Sequence, residues 1–285
     1  MNLDGLMLHY QKNNYQIIKM MRAAYLLIFV LAGLTACKFG THEKQQPDIT
    51  KDTLSYTYEV IKMRADDCGN KPDSGCTVVN IKYPLFTDRE ALNDTVTKKL
   101  TGLFGFFQSD IELKEMGEHF LTTYENFKKR NKRSGIFFTL NSNAQVLRQD
   151  SNLTTLETNS YTFQGGAHGG SYMFFINWDT KANKDLTLDD LLVNDYNIKL
   201  NEVADTIFRK QEKLTDTSSL DKDYFFKDNK FKLNRNFLIT PLGLRFVYNI
   251  YEIKPYAAGR TEIIISYDKI KSLLKPNTVI TQYIK

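Results

Sequence analysis

The sequence predicts an α+β protein made of two small α+β domains, with antiparallel sheets and helices packed on one face. Three observations carry that expectation. Runs that alternate apolar and polar residues recur in groups, the pattern of half-buried strands. Between the groups lie stretches with apolar residues three and four apart, as on helices with one buried face. Clusters of glycine, proline and asparagine punctuate both.

In chain order, the first segment reads as a targeting signal and not as part of the fold. Lys12, Lys19 and Arg22 precede an apolar run from Ala23 to Ala36, short for a bilayer span and without a stop-transfer flank. The run ends in Leu34-Thr35-Ala36-Cys37. This lipobox resembles that of bacterial lipoproteins, in which the small residue before the cysteine admits the signal peptidase and the thiol is diacylated before cleavage. The resemblance implies a signal peptide over residues 1–36, lipidation of Cys37 and an extracytoplasmic, membrane-anchored location, periplasmic or at the cell surface. An ordinary signal sequence with a chance cysteine is the other reading. The long polar lead allows translation to start at Met1, Met20 or Met21. Two or three acyl chains anchor a protein stably, and residues 37–52, with Gly40 and Pro47 among polar neighbours, read as a tether.

Cleavage would take three basic residues and one acid from totals of 38 and 33, leaving 35 and 32, a net charge of +3. The charges are interspersed, so nucleic acid is not an expected partner. The densest basic stretch, Lys128-Lys129-Arg130-Asn131-Lys132-Arg133, closes a helical pattern and suits a helix C-terminus.

Cys68 and Cys76 close a loop rich in glycine, proline and asparagine. Outside the cytoplasm, such a pair is expected to form a disulfide. Flanking runs Leu54 to Met63 and Thr77 to Leu85 alternate, so the bridge would staple the tip of a hairpin. A capping box at Thr87-Asp88-Arg89-Glu90 then opens a helix carrying Leu92, Val96, Leu100, Leu103 and Phe104. A second helix carries Met116, Phe120, Tyr124 and Phe127, with His119 beside its apolar stripe.

Strands are expected at Ile136 to Leu140, Gln145 to Leu156, Ser160 to Phe163 and Met173 to Trp178, with a turn at Asn141-Ser142-Asn143. Thr187-Leu188-Asp189-Asp190 opens a short helix, and Ile198 to Lys210 forms a longer one. A hairpin follows: Phe237 to Thr240, a type I turn with a glycine bulge through Pro241-Leu242-Gly243, and a return strand from Leu244 to Ile253. Thr261 to Tyr267 reads as a buried strand and Asp268 to Leu274 as a last helix.

One loop stands apart: Gly165-Gly166-Ala167-His168-Gly169-Gly170, four glycines around a histidine. The glycines would either let a ligand approach the backbone beside His168, or serve a tight connection in which the imidazole caps a carbonyl. No Asp, Glu, Cys or second His lies close in sequence to complete a catalytic or metal set. The spacing is not that of a phosphate cradle. No metal and no cofactor are expected.

Gly165 to Gly169, then Asn177-Trp178-Asp179 with Leu186 to Leu191, then Tyr251-Glu252-Ile253-Lys254-Pro255-Tyr256-Ala257-Ala258-Gly259, resemble the signature blocks of the RsiV-like extracytoplasmic domain family. The part before them is similar to the amino-terminal module that accompanies this domain in the peptidoglycan deacetylase PdaC. The resemblance implies a PdaC-like module over 53–160 and an RsiV-like domain over 161–285, the latter likened to a subdomain of heat-shock cognate ATPases without nucleotide binding. It brings two precedents, a lysozyme-sensing anti-sigma factor and a deacetylase whose chemistry sits in a separate esterase domain. Neither transfers whole. The amino terminus reads as a cleavable lipoprotein signal, and the mature chain holds only His42, His119 and His168.

The expectation is therefore a lipid-anchored envelope protein that binds a partner without catalysis, either a lysozyme-like muramidase or peptidoglycan. Its contacts would come from Gly165, Gly166, His168 and Gly169 together with Tyr251, Tyr256 and Gly259. Two alternatives stand beside it: an enzyme acting on envelope glycan, with His168 as base and Asp179 or Glu252 brought near by folding, and a structural lipoprotein with no specific ligand.

Overall fold

The computed structural model describes residues 54–102 and 111–284. The expected signal peptide, Cys37, the tether, and Leu103 and Phe104 lie outside them. The chain from Ile49 onward forms one compact unit.

Strands β1 (Tyr56–Arg64) and β2 (Val78–Phe86) pair antiparallel, with Arg64 opposite Val78. At their connection the sulfurs of Cys68 and Cys76 meet in a disulfide, Cα atoms 5.3 Å apart. The Tyr124 hydroxyl donates to Asp67 Oδ2 at 2.8 Å and fastens this tip to a helix.

Helix α1 (Glu90–Thr101) buries Leu92, Val96 and Leu100. The capping box expected at Thr87 to Glu90 does not form. Asp88 turns the chain through a left-handed conformation (φ 54°), and Thr87 instead donates its N–H to Ser55 on the β1 side. The junction is held by Asn93, which accepts from Phe86 N–H at 2.8 Å and donates to Phe86 C=O at 2.9 Å. Helix α2 (Leu113–Arg130) buries Met116, Phe120 and Tyr124. Its last-turn cations serve the helix end: Lys128 donates to Ser134 C=O and Arg130 to Asn126 C=O.

Strands β3 (Thr139–Gln149), β4 (Leu153–Phe163), β5 (Gly170–Asp179) and β6 (Lys184–Asp185) complete a six-stranded sheet in chain order. The pairs are antiparallel except β2 with β3, which run parallel because α1 and α2 carry the chain back before β3 begins. Asn141-Ser142-Asn143, expected as a turn, lies inside β3. Polar residues are satisfied there across the sheet: Asn80 donates to Asn141 at 3.1 Å, and the buried Ser142 and Ser160 hydroxyls bond at 2.8 Å. The real turn is at Asp150, whose Oδ1 accepts from the N–H groups of Asn152 and Leu153. Position 160/161, the expected domain boundary, falls within β4.

After β6, the short helix α3 (Leu188–Leu191) starts with a capping box between Thr187 and Asp190. Burial opposes the charged form of the Asp190 carboxyl, but Lys184 and Thr187 outweigh it and hold the group below its ordinary value. Helix α4 (Tyr196–Gln211) packs on a second sheet of β7 (Phe237–Thr240), β8 (Gly243–Tyr248) and β9 (Thr261–Ile265). Thr240 pairs directly with Gly243, so the hairpin has a two-residue turn and no bulge, and β8 ends at Tyr248 instead of Ile253. A side chain at Gly243 would put a Cβ 2.1 Å from Ile265 O, which accounts for the glycine. The expected final helix is a 3-10 segment, Tyr267–Leu273.

Two large cores result. One lies between α1, α2 and a face of the six-stranded sheet; the other lies between α4 and the small sheet. Strand β5 serves more than one cluster by its alternation. Ile176 and Trp178 enter the first core, while Met173 and Phe175 point the other way, onto Leu238 and Val247 of β7 and β8.

Candidate functional site

The glycine loop joins β4 to β5, and each glycine there has its own reason. Gly165 and Gly166 take φ of 97° and 98°, which side-chain-bearing residues rarely adopt. A Cβ on Gly169 would lie 2.5 Å from Thr162 O and 2.6 Å from the Tyr161 ring. The loop is thus shaped by backbone geometry, and it presents the exposed His168 outward.

His168 meets the segment Tyr251 to Gly259. Its ring stacks on Tyr256 with centroids 4.0 Å apart and planes within 15°, and its Nε2 is 3.1 Å from the Tyr251 hydroxyl. Tyr251 sits in the left-handed region (φ 69°), half exposed, and its ring also approaches Tyr256 at 5.6 Å. Gly259, at φ 70°, closes the short 3-10 turn Tyr256–Ala258 that carries the stacked tyrosine. The fold therefore brings His168, Tyr251 and Tyr256 together from two distant parts of the chain.

Neither of the carboxylates considered as partners for His168 bonds to it. Asp179 ends β5, nine residues or roughly 30 Å along the strand from Gly170, and its Oδ1 accepts from the N–H groups of Lys181 and Ala182. Glu252 is occupied elsewhere: Oε2 accepts from Asn249 N–H at 2.7 Å and Oε1 from Asn234 Nδ2 at 2.8 Å. The contacts of His168 are the two tyrosines, so the arrangement offers stacking and hydrogen bonding, and the acid-base pair considered from sequence does not form. Among the described residues no group of three or more His, Cys, Asp or Glu side chains could hold a metal ion.

Beside this stack opens a cleft of about 680 Å³. Its walls include Gly169 to Tyr172, Phe174 and Phe175 from the glycine loop and the start of β5, Tyr251 and Tyr256, and an asparagine-rich set that the sequence reading did not single out: Asn234, Asn236 and Asn249. Lys99 and Arg235 stand at its edge, each near a carboxylate outside the cleft, Asp185 at 3.8 Å and Asp189 at 3.7 Å. The asparagines build the wall. Asn236 donates to Met173 C=O and Val247 C=O, and Asn234 donates to Val247 C=O as well as to Glu252. The sequence signal was present in Asn234-Arg235-Asn236 and in Asn249, two residues before Tyr251, but polar residues flanking a strand read as turn chemistry.

Comparison with known proteins agrees with this architecture. Residues 70–171 match the family model described as Deacetylase PdaC, and residues 184–268 match the model described as Protein of unknown function (DUF3298). No curated protein matches the chain. Among solved structures, a member of the DUF3298 family from Bacteroides fragilis NCTC 9343 is similar at 24% identity over 81% of this chain and 97% of that chain, with a TM-score of 0.63. A DUF3298 family protein from Pseudomonas aeruginosa PAO1 is similar at 24% identity over 79% of this chain and 95% of that one, with a TM-score of 0.60. At such identity these neighbours establish the fold. Among the described residues no helix is long and apolar enough to cross a membrane.

Proposed function

From a PdaC-type module followed by a DUF3298 domain, the arrangement this chain carries, we propose a lipid-anchored extracytoplasmic binding protein of the bacterial envelope that recognises peptidoglycan without catalysis of its own. The observation that carries this reading is the cleft beside the His168, Tyr251 and Tyr256 stack. A concave site of about 680 Å³ is within the range of small-ligand pockets. A lysozyme-like protein would need a contact of roughly 800 Å² on each partner, so cleft shape favours a saccharide over a protein face. Aromatic rings beside side-chain amides suit a ligand with apolar ring faces and hydroxyl edges. The glycan-acting enzyme has lost its motivating geometry, since neither Asp179 nor Glu252 reaches His168.

Attachment through Cys37 is part of the proposal. Its support is the lipobox, and its test is whether Cys37→Ala moves the protein from the membrane fraction to the soluble one. Ligand binding is tested with the fragment of residues 38–285, which contains the whole compact unit. Co-sedimentation with purified peptidoglycan should be saturable, and His168→Ala and Tyr256→Ala should each weaken it by about five- to tenfold with the melting temperature retained. Lysozyme is the comparison arm. Capture of lysozyme without peptidoglycan would replace the glycan by a protein partner, and a folded fragment that holds neither would remove the proposal.

A further inference from the structure

The second face of the six-stranded sheet meets the small sheet at Met173 and Phe175 of β5 and is exposed beyond it at Lys82, Asn141 and Tyr161. Helices α1 and α2 pack on one side; on the other, the registers align Asn80, Asn141, Tyr161 and Ser171 in one row across β2 to β5, and Lys82, Asn143 and Asn159 in the next. Over these rows lies a shallow hollow of about 420 Å³, bounded by Arg260, with no Asp or Glu among the described residues that line it. Arg260 is the unusual member. Its Nε is fully buried and meets no hydrogen-bond acceptor among the described residues. Arg209 and Arg245 are each matched to a carboxylate by a hydrogen-bonded ion pair, but among the described residues no such pair forms at Arg260. Lys82 likewise rests its ammonium 4.6 Å above the Tyr58 ring, not on an acid. A buried guanidinium N–H left unmet is costly, and two cations without acidic partners facing one hollow call for an anion from outside.

Ser171 lines both this hollow and the cleft, so the two surfaces are continuous around the start of β5. The geometry points to a carboxylate-binding subsite at Arg260 for an acidic glycan. The guanidinium fork takes the carboxylate, the amides of Asn143 and Asn159 and the Ser171 hydroxyl take sugar hydroxyls, and the polymer continues into the cleft. Charge complementarity selects this occupant, and the amides select a hydroxyl-rich one. The continuation rests on the glycan reading of the cleft; the anion subsite rests on Arg260 itself.

The test is calorimetric titration of the full chain in detergent with a galacturonate tetramer and with its methyl ester, which is the same sugar without the charges. The acid should bind about tenfold tighter than the ester, and the difference should shrink as salt is raised. Arg260→Met should abolish the difference and Arg260→Lys should retain part of it. Lys82→Gln, on the exposed face of β2, should reduce it several-fold and serves if the arginine variants lose their thermal transition. Equal binding of acid and ester, or a difference unchanged in Arg260→Met and in Lys82→Gln, overturns the subsite. If peptidoglycan still binds in a His168-dependent way while acid and ester are equal, this inference alone falls. If the folded chain binds no glycan at all, the cleft reading falls with it.

Discussion

The side-chain amide of Asn249 holds both backbone groups of Met173: Oδ1 accepts the N–H at 2.6 Å and Nδ2 donates to the C=O at 3.1 Å. At this point a side chain stands in for a neighbouring strand on the open edge of β5. Asn177 makes the reciprocal connection, donating to Phe237 C=O and accepting from Ile239 N–H at 2.8 Å each. Two buried amides thus join the large sheet to the small one, and the cleft lies along that seam.

Replacing Asn249 by leucine keeps volume and leaves both Met173 groups without that partner. Stability should fall by about 1–3 kcal/mol, the cost of stranding the buried Met173 N–H while Asn236 still donates to the C=O, read by urea unfolding with the slope unchanged. Because the seam forms the cleft wall, glycan binding should weaken even where the variant is folded. An unchanged midpoint would mean that water serves Met173 equally well.

The glycines of the loop should separate by mechanism. Gly169→Ala forces a Cβ against Thr162 O and the Tyr161 ring, an overpacking that should cost about 1–3 kcal/mol. Gly166→Ala has open space around its Cβ and should lose only about 1 kcal/mol, from its positive φ. Thermal melts of the two variants side by side decide this. Equal losses would place the strain in the loop's conformation alone.

At the far end of the first hairpin, Cys68 and Cys76 are eight residues apart. Cys68→Ser with Cys76→Ser should lower stability by about 2–3 kcal/mol through the entropy of the unfolded chain, and reductant should reproduce the effect in the native sequence. The Tyr124 to Asp67 bond also holds this tip, so the variant should stay folded.

Much of this was legible because it is local. The hairpin around Cys68 and Cys76, the apolar stripes of α1, α2 and α4, and the run of β5 follow from periodicity and turn residues. The Asn141 to Asn143 turn was misread because asparagine in a strand is ordinarily unfavourable; only the partners Asn80 and Ser160, far away in sequence, make it affordable there. The capping box at Thr87 failed for the same kind of reason, since the Ser55 carbonyl is invisible to a local pattern. At the site, His168, Tyr251 and Tyr256 announced themselves through glycines and aromatics. Asn236, Asn249 and Arg260 did not, because a residue that serves or lacks a distant partner leaves no periodic trace.

The carboxylate that faces Lys99 from outside the cleft is also testable. Asp185 accepts a hydrogen bond from Asn177 N–H and faces Lys99, and its side chain is 30% exposed. Burial pushes its carboxyl above the ordinary aspartate value, outweighing the pull of Lys99 and of backbone N–H groups. A carboxyl raised in the folded state destabilises the fold when ionised. That cost is absent below the ordinary aspartate range, grows as pH rises towards the raised value, and is constant above it. Asp185→Asn retains the acceptor for Asn177 and removes the charge. The variant should therefore be at least as stable as the native protein at neutral pH, with an advantage that shrinks as pH falls through the raised value. Urea unfolding of both proteins across an acid-to-neutral series measures this. An advantage that grows on acidification would mean that attraction to Lys99 outweighs burial, and that the carboxylate holds the end of α1 at the cleft instead of straining it.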